Sequence, residues 1–180
     1  MTKNRDIRHE LEHRILLLDG GFGTMIQQYG LDEADYRGKE FAASEKLLRG
    51  CNDLLNLTRP ETIREIHEKY LQAGSDVITS NTFNANSIAL ADYGLAAEAY
   101  RINRAGAAIA REAADAFTAR NPQKPRFVGG SMGPTSHTLP MSADVDNPGA
   151  RAFPSEPPPP AYSNQARGLM DRGAELLLLA

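Results

Sequence analysis

Three short stretches of glycines and small polar residues are the candidates for chemistry in this chain, and each follows a run of apolar residues. Asp19-Gly20-Gly21 follows Ile15–Leu18, Ser80-Asn81-Thr82 stands at the end of Asp76–Ser80, and the third stretch spans residues 130–134. A carboxylate can pair with an ammonium group, and backbone amides beside glycines can hold a carboxylate. The three stretches therefore suit an amino acid as ligand.

Each stretch also has a purely structural interpretation. Asp19-Gly20-Gly21 can form only a tight turn, and Ser80-Asn81-Thr82 can do no more than cap a following helix. The glycines match neither the phosphate-loop pattern nor the dinucleotide-binding pattern. The histidines are scattered without a ligand-like spacing, so solvated or structural roles are predicted for His9, His13, His67 and His137. No histidine is evidently placed to activate Cys51, so a buried or idle thiol is predicted there.

An alternation of apolar runs and helical patterns positions these stretches. Runs 15–18, 76–80, 126–130 and 176–179 are short and lack polar alternation, which is typical of strands buried on both faces of a parallel sheet. Between them we predict helices from a Thr58/Glu61 capping box to Gly74, from 96 to about 120, and from about 162 to 172. This order predicts βαβ units, whose ligands collect at the C-terminal ends of the strands.

Composition and charge argue against several classes of partner. The formal net charge is -3, with acidic and basic residues mixed along the chain, so no nucleic-acid interface is predicted. The apolar runs are far shorter than the ~20 residues of a membrane span. The single cysteine, Cys51, can form neither an internal disulfide nor a cysteine-rich zinc site. We expect a cytoplasmic protein without a membrane partner, and no cofactor bound by this segment alone.

The chain divides into a polar segment, 1–14, and one domain, 15–180. The polar segment lacks the apolar core of a secretory signal. Within the domain, residues 144–160 contain the run Pro157–Pro160 and predict a long irregular loop. That loop is either a plain connection or a docking site for a partner.

Several longer segments resemble homocysteine methyltransferases, and in particular the cobalamin-dependent methionine synthase branch. Ile15–Met25 looks like the opening strand and loop of the family. Segments 31–38, 50–55, 73–84, 132–135 and 142–145 resemble the methionine synthase branch. The motifs occur in the right order, and the match runs nearly without gaps from about Ile15 to Ala180, so the resemblance is specific.

The resemblance implies the first half, about four βα units, of a (β/α)8 TIM-type barrel that binds homocysteine at the C-terminal ends of its strands. In such enzymes three thiolates hold a zinc ion, the zinc binds the homocysteine sulfur, and the sulfur attacks a methyl group. In methionine synthase the methyl group comes from methylcobalamin, which methyltetrahydrofolate recharges on later modules. Carried over by position, the predicted substrate-binding residues are Asp19, Gly20 and Gly21 for the amino acid part of homocysteine, and Ser80, Asn81 and Thr82 as pocket lining.

The chain departs from the family pattern at positions needed for catalysis. The zinc cysteines of the family lie in the second half of the barrel, and its substrate-binding glutamate falls at the position of Ala180. Thr79 also stands where many relatives carry glutamate, and Pro154–Pro160 replaces the usual lead into the fourth helix. We therefore expect no catalytic residue or metal ligand in this segment and no methyl transfer by it alone. The expected partners are homocysteine, the second half of the barrel, and the folate and cobalamin modules.

Two other functions stay open. One is a homocysteine methyltransferase that uses S-methylmethionine or betaine, against which segments 31–38 and 142–145 argue. The other is a non-catalytic binding or scaffold fragment that completes a barrel with a second chain. Half a barrel would leave strand edges open, at 15–18 and 176–179 among others, so we expect an oligomeric or marginally stable chain.

Overall fold

The computed structural model describes residues 6–135 and 159–179 of the chain. The helices within these ranges are α1 (Ile7–His13), α2 (Phe22–Gln27), α3 (Glu33–Arg37), α4 (Leu55–Thr58), α5 (Pro60–Ala73), α6 (Ser87–Ala91), α7 (Ala99–Arg120) and α8 (Pro159–Met170). The strands are β1 (Val77–Thr79), β2 (Phe127–Met132) and β3 (Leu176–Leu179), and short 3-10 turns lie at Asn52–Leu54 and Ala96–Glu98. Among the helices just named, none is both long and apolar enough to cross a bilayer.

The three strands form one parallel sheet in the order β1-β2-β3. Val77 pairs with Phe127 between β1 and β2, and Gly129 pairs with Leu176 between β2 and β3. Helices α6 and α7 lie between β1 and β2, and α8 precedes β3, so helices provide the crossovers that parallel pairing requires. The predicted α/β class with a parallel sheet is confirmed.

Helix α5 ends at the predicted Gly74, but it begins one residue later than predicted because the predicted capping box does not form. Pro60 occupies the first turn, and Gly74 ends the helix with a φ of 118°, a left-handed conformation that favours glycine. Thr58 instead ends α4, where its hydroxyl donates to the carbonyl of Leu54 at 3.5 Å, and the N-cap of α5 is Arg59. The Thr58/Glu61 prediction is therefore wrong, because two helices meet at this point of the chain.

His67 lies on the buried face of α5, where neither ring nitrogen has a hydrogen-bond partner among the described residues. The ring packs against Phe22, with centroids 5.0 Å apart. Burial lowers the pKa of His67 to about 3, and the positive charge of Arg64 adds to the effect. The predicted structural role of His67 therefore holds, but the expected satisfaction of its ring nitrogens does not, since the ring is neutral and fully buried against Phe22.

Helix α7 packs small side chains against its neighbours. Ala107, Ala110, Ala113 and Ala114 are fully buried, and the helix contacts both β1 and β2. The predicted end at Arg120 is confirmed, whereas the first turn of the predicted helix, Ala96–Glu98, is a 3-10 turn.

Helix α8 begins earlier in the chain than predicted, at Pro159 rather than about Tyr162, and ends at Met170. Proline is tolerated there because the first helical turn leaves its N–H groups unpaired in any case. The last two residues of the predicted 144–160 loop are thus helical. The rest of that loop lies outside the described residues.

The first apolar run, Ile15–Leu18, forms less strand than predicted. Its pairing with β1 is a single parallel bridge between Leu18 and Val77. At the next residue, the side chain of Asp19 accepts a hydrogen bond from the N–H of Thr79. Ile15 is 86% exposed, and Leu17 and Leu18 are each more than half exposed. The prediction of a fully buried strand is wrong here because no described element packs over this run.

Strand β3 is partly buried on one face and exposed on the other, which also corrects the prediction. Its inner leucines pack closely on β2. At Gly129 of β2 there is no room for a side chain, because a Cβ there would lie only 2.8 Å from Leu178 Cδ1. Its outer residues Leu177 and Leu179 are 37% and 77% exposed. Apolar side chains are therefore exposed at both sides of the sheet, where none of the residues 6–135 and 159–179 covers them.

A buried carboxylate, Asp76, ties the N-terminal segment to the start of β1. Its Oδ2 accepts the N–H of Leu17 at 3.0 Å, and its own N–H donates to the carbonyl of Leu17 at 2.8 Å. Arg14 donates to Asp76 Oδ1 at 2.8 Å. These contacts hold the segment that leads to Asp19 and Gly20 alongside β1.

Candidate functional site

A cleft of about 340 Å³ lies at the C-terminal ends of β1 and β2. Its wall combines the start of α2, the 3-10 turn at Asn52–Leu54 and the loops that follow the strands. The lining residues are Gly20, Phe22, Gly23, Asn52, Asp53, Thr79, Ser80, Asn81, Thr82, Phe83, Asn84 and Ser131. The structure thus brings Gly20, Ser80, Asn81 and Thr82 into one wall, whereas Asp19 and Gly21 flank it.

Asp19 lies behind this wall, and both of its carboxylate oxygens are engaged. Oδ2 accepts the N–H of Thr79 at 2.8 Å, and Oδ1 accepts the hydroxyl of Thr79 at 2.9 Å. Burial raises the pKa of Asp19 to about 6, although the hydrogen bonds from Thr79 favour the charged form. The side chain fixes the end of β1 and places the neighbouring Gly20 at the cleft.

Ser80 and Thr82 join the end of β1 to β2 through a closed ring of hydrogen bonds. The N–H of Ser131 donates to Ser80 Oγ at 3.1 Å, and the hydroxyl of Thr82 donates to the carbonyl of Ser131 at 2.8 Å. Because Thr82 gives its hydrogen to that carbonyl, Ser80 is the donor in the 2.6 Å contact between the two hydroxyls. Both hydroxyl hydrogens are used within the protein, so these side chains shape the wall.

Asn81 connects the same loop to the 3-10 turn at Asn52–Leu54. Its side-chain amide donates to the carbonyl of Asn52 at 2.7 Å, and its backbone carbonyl accepts from the side chain of Asn56 at 2.7 Å. The hydroxyl of Tyr36 donates to Asn52 Oδ1 at 2.8 Å. This network sets the position of the turn, and hence of the residue that follows Asn52.

That residue, Asp53, is the carboxylate that lines the cleft, and it is only 4% exposed. Its Oδ1 accepts the N–H of Asn84 at 3.0 Å, and it makes no ion pair with any residue in the described ranges. Burial raises the pKa of Asp53 to about 6, against the hydrogen bond from Asn84. A buried carboxylate without a counter-charge is costly, and a cationic ligand would offset that cost.

Free hydrogen-bond donors lie at the edge of the cleft, in the turn formed by Gly20 and Gly21, here called the glycine turn. The N–H groups of Gly20 and Gly21 donate to none of the residues that the structure describes. The carbonyl of Gly21 accepts from Thr24 at 2.9 Å and from the hydroxyl of Tyr70 at 3.0 Å. These two bonds hold the turn while both amides stay available to an anion.

The sequence matches the homocysteine S-methyltransferase family over residues 16–180, which is nearly the whole domain. The chain belongs to that family. This membership confirms the resemblance to homocysteine methyltransferases and the assignment of the chain to a methyltransferase family.

Solved structures of this family share the fold. The homocysteine methyltransferase MmuM from Escherichia coli, in its apo form, has a TM-score of 0.60 at 24% identity, over 95% of this chain and 51% of that chain. The metallated form has a TM-score of 0.66 at 24% identity, over 96% and 56% of the two chains. The oxidised form has a TM-score of 0.67 at 26% identity, over 97% and 56%. The chain spans about half the length of these structures.

The described residues of this family member do not fit the thiolate zinc site that the resemblance implies. Cys51, the single cysteine of the chain, is buried. Burial raises the pKa of its thiol to about 12, and the nearby charge of Asp53 adds to the effect. A thiol in that state does not act as a metal ligand at neutral pH. We therefore assign no step of a reaction to zinc in this segment.

Asn52, Asp53 and Asn84 line the cleft but are not among the predicted site residues, and Asp53 lies on a 3-10 turn between α3 and α4 rather than at the end of a strand. A signal was present in the sequence. Asp53 and Asn56 flank Leu54-Leu55, and polar residues among buried leucines need hydrogen-bond partners or a function.

Proposed function

We propose that the cleft binds the amino acid end of homocysteine. The ammonium group pairs with Asp53, and the carboxylate accepts hydrogen bonds from the amides of Gly20 and Gly21. The observation that carries the proposal is the Asp53 carboxylate, which lines the cleft without a counter-charge among the described residues of a homocysteine S-methyltransferase family member. Charge-assisted hydrogen bonds at both groups would fix the orientation of the ligand.

In this proposal the other predicted site residues, Asp19 behind the wall and Ser80, Asn81 and Thr82 within it, hold the cleft in shape. Asp19 holds Thr79, and through it the end of β1, beside the glycine turn. Ser80 and Thr82 hold the same loop to β2, and Asn81 holds it to the turn that carries Asp53. Homocysteine therefore meets a wall whose parts are already positioned before it binds.

The protein to which this segment contributes is, in our proposal, a methionine synthase. It transfers a methyl group from methylcobalamin, recharged by 5-methyltetrahydrofolate, to homocysteine and yields methionine. Segments 31–38 and 50–55 support this branch by their similarity to it. Because the described residues hold no set of thiolates, the isolated chain is expected to transfer no methyl group.

The alternative is a homocysteine methyltransferase that uses S-methylmethionine or betaine as the methyl donor. The similarity to MmuM, at 24% to 26% identity, is compatible with either donor. A protein that contains this segment together with a complete barrel, assayed with each donor in turn, would distinguish the two. Methyl transfer that requires cobalamin supports the first proposal, and transfer from S-methylmethionine without cobalamin supports the alternative.

We also propose that Ile15–Leu18 and Leu176–Leu179 are the edges against which the rest of a (β/α)8 barrel packs. Both edges are apolar and exposed, and the parallel strands β1 and β2 lie between them, with the whole sheet in chain order. The chain spans about half the length of the MmuM structures. These facts together support a half barrel, whose missing neighbours would cover the exposed leucines.

Calorimetric titration with methionine and with its desamino analogue tests the binding proposal, because the two ligands differ only in the ammonium group. We expect methionine to bind more tightly. Asp53→Asn should weaken methionine binding by about 10- to 100-fold, the worth of one hydrogen bond to a charged group, and leave the affinity for the analogue unchanged. Asp92→Asn, which changes an exposed carboxylate outside the cleft, is the matched control.

Two results would contradict the proposal in different ways. If Asp53→Asn weakens both ligands equally, the cleft binds the ligand but Asp53 does not recognise the ammonium group. If the folded chain binds neither ligand, the cleft is not a homocysteine site.

A further inference from the structure

Helix α1 lies outside the cleft and is anchored at both of its ends. The side chain of Asp6 caps its first turn by accepting from the N–H of Arg8 at 2.9 Å. Arg14, which follows the helix, pairs with Glu10 at 2.8 Å and with the buried Asp76 at 2.8 Å. The helix therefore has a defined position although none of its residues is buried.

Two histidines lie four residues apart on one face of this helix. The rings of His9 and His13 have centroids 4.4 Å apart, and the carboxylate of Glu12 lies beside them. The ligand atoms of these three residues all lie within 4.8 Å of one another. The prediction that the histidines have no ligand-like spacing is wrong for this pair, because His9-Glu10-Leu11-Glu12-His13 places both rings on the same face.

The hydrogen bond made by His13 sets which of its nitrogens can bind a metal. His13 Nδ1 lies 2.7 Å from the carbonyl oxygen of His9. A carbonyl oxygen only accepts, so Nδ1 carries the hydrogen and the lone pair of the neutral ring is on Nε2. Metal-binding histidines commonly have this arrangement, in which a backbone carbonyl holds the ring nitrogen that is not bound to the metal.

The two glutamates of the helix differ in availability. Glu10 is engaged by Arg14, whereas Glu12 has no ion-pair partner within the described part of the chain. Two imidazoles and a carboxylate form a ligand set that suits zinc and its neighbours among divalent transition metals. We propose that His9, Glu12 and His13 form a surface binding site for such an ion, with solvent completing its coordination.

This site binds a metal without the hydrolytic chemistry that the His-Glu-x-x-His spacing supports in metalloproteases. There the glutamate that follows the first histidine acts as the general base. Here that residue is Glu10, which Arg14 holds. The site serves to stabilise the exposed helix α1 by joining two of its turns through the ion.

Titration of the tag-free 180-residue chain with Zn²⁺ tests the site. We expect one ion per chain, and His9→Ala or His13→Ala should weaken binding by about tenfold or more, since loss even of an outer contact to a metal ligand costs about 10–100-fold. Glu10→Gln is the matched control on the same helix and should retain the wild-type affinity. The Co²⁺-loaded chain should lack thiolate charge-transfer absorption, which separates this site from any binding at Cys51.

Both histidine variants change exposed side chains, so the chain should stay folded, and a denaturation curve of each verifies this. Wild-type affinity in the His9→Ala/His13→Ala double variant, or no Zn²⁺ binding by the wild-type chain, would overturn the proposal. Neither result depends on whether the cleft binds homocysteine.

Discussion

Replacing Asp76 by asparagine should destabilise the chain strongly, because several cations and the N-terminal segment converge on this carboxylate. Asp76 is 2% exposed. Its Oδ1 lies 2.8 Å from Arg14 Nη1, 3.3 Å from Arg126 Nη1 and 3.6 Å from Lys124 Nζ. Burial alone would raise the pKa of Asp76, but the N–H of Leu17 and the nearby cations hold it below its usual range.

The three ion pairs contribute unequally to the expected loss. The side chains of Arg14 and Lys124 are 31% and 35% exposed, so water screens them and each pair is worth at most about 1 kcal/mol. The side chain of Arg126 is 8% exposed, and although its Nη1 still donates to the carbonyl of Ser75 at 2.9 Å, leaving its charge buried without a counter-charge costs about 3 kcal/mol. Asparagine can still accept from Leu17. We therefore expect a loss of roughly 3–5 kcal/mol in the free energy of unfolding.

Urea denaturation followed by circular dichroism measures this loss. Glu61→Gln is the control, since Glu61 and Arg59 are both exposed and 3.5 Å apart, and removing that pair should change stability by less than about 0.5 kcal/mol. If the wild-type chain is only marginally stable, Asp76→Asn should be unfolded without denaturant. A loss of less than about 1 kcal/mol for Asp76→Asn would refute the reasoning.

Three further predictions concern the packing and titration of the site. Gly106→Ala should lower the free energy of unfolding by about 1–3 kcal/mol, because the new Cβ would lie 2.7 Å from the side-chain amide nitrogen of Asn56. Gly23→Ala is the control, since its new Cβ would lie 3.9 Å from the nearest atom of Asn52 and should not destabilise the chain. Urea denaturation compares the two variants. The raised pKa of Asp53 means that the folded chain holds this proton more tightly than the unfolded chain. Relative to Asp53→Asn, the wild type should therefore lose roughly 2–3 kcal/mol of stability as the pH rises from about 4 to 7. Urea denaturation of both chains across this range measures the loss, and a difference between their midpoints that does not change with pH would count against the prediction. Cys51 should resist a thiol reagent until the chain is unfolded, so rapid labelling of the native chain would show that it is accessible.

The order of helices and strands was predictable because its signals are local. Pro60 and Gly74 bound α5 through their own backbone preferences, and the alanine-rich pattern up to Arg120 needs no distant partner to become a helix. The capping-box prediction was wrong because it took no account of the neighbouring helix. Thr58 and Glu61 satisfy the pattern, but the preceding α4 already uses Thr58 as its last residue.

Burial of the outer runs was not predictable, because it depends on neighbours outside the runs. Ile15–Leu18 and Leu176–Leu179 have the composition of buried strands, yet each has a face that no described element covers. A sequence pattern reports which residues favour burial, not whether a neighbour is present to bury them.

The candidate site was predictable in part for a similar reason. Gly20 and Ser80 follow apolar runs, and the parallel sheet brings such positions together at one end. Asp53 reaches the cleft through contacts with distant residues, such as the bond between Asn81 and Asn52, 29 residues apart. No local pattern carries that information.

A structure of the chain with bound methionine, by crystallography or NMR, tests the central claim most directly. We expect the amino group of methionine within about 3 Å of the Asp53 carboxylate, and the carboxylate of methionine against the amides of Gly20 and Gly21. Methionine bound with its amino group on Asp19, or bound away from the ends of β1 and β2, would contradict it.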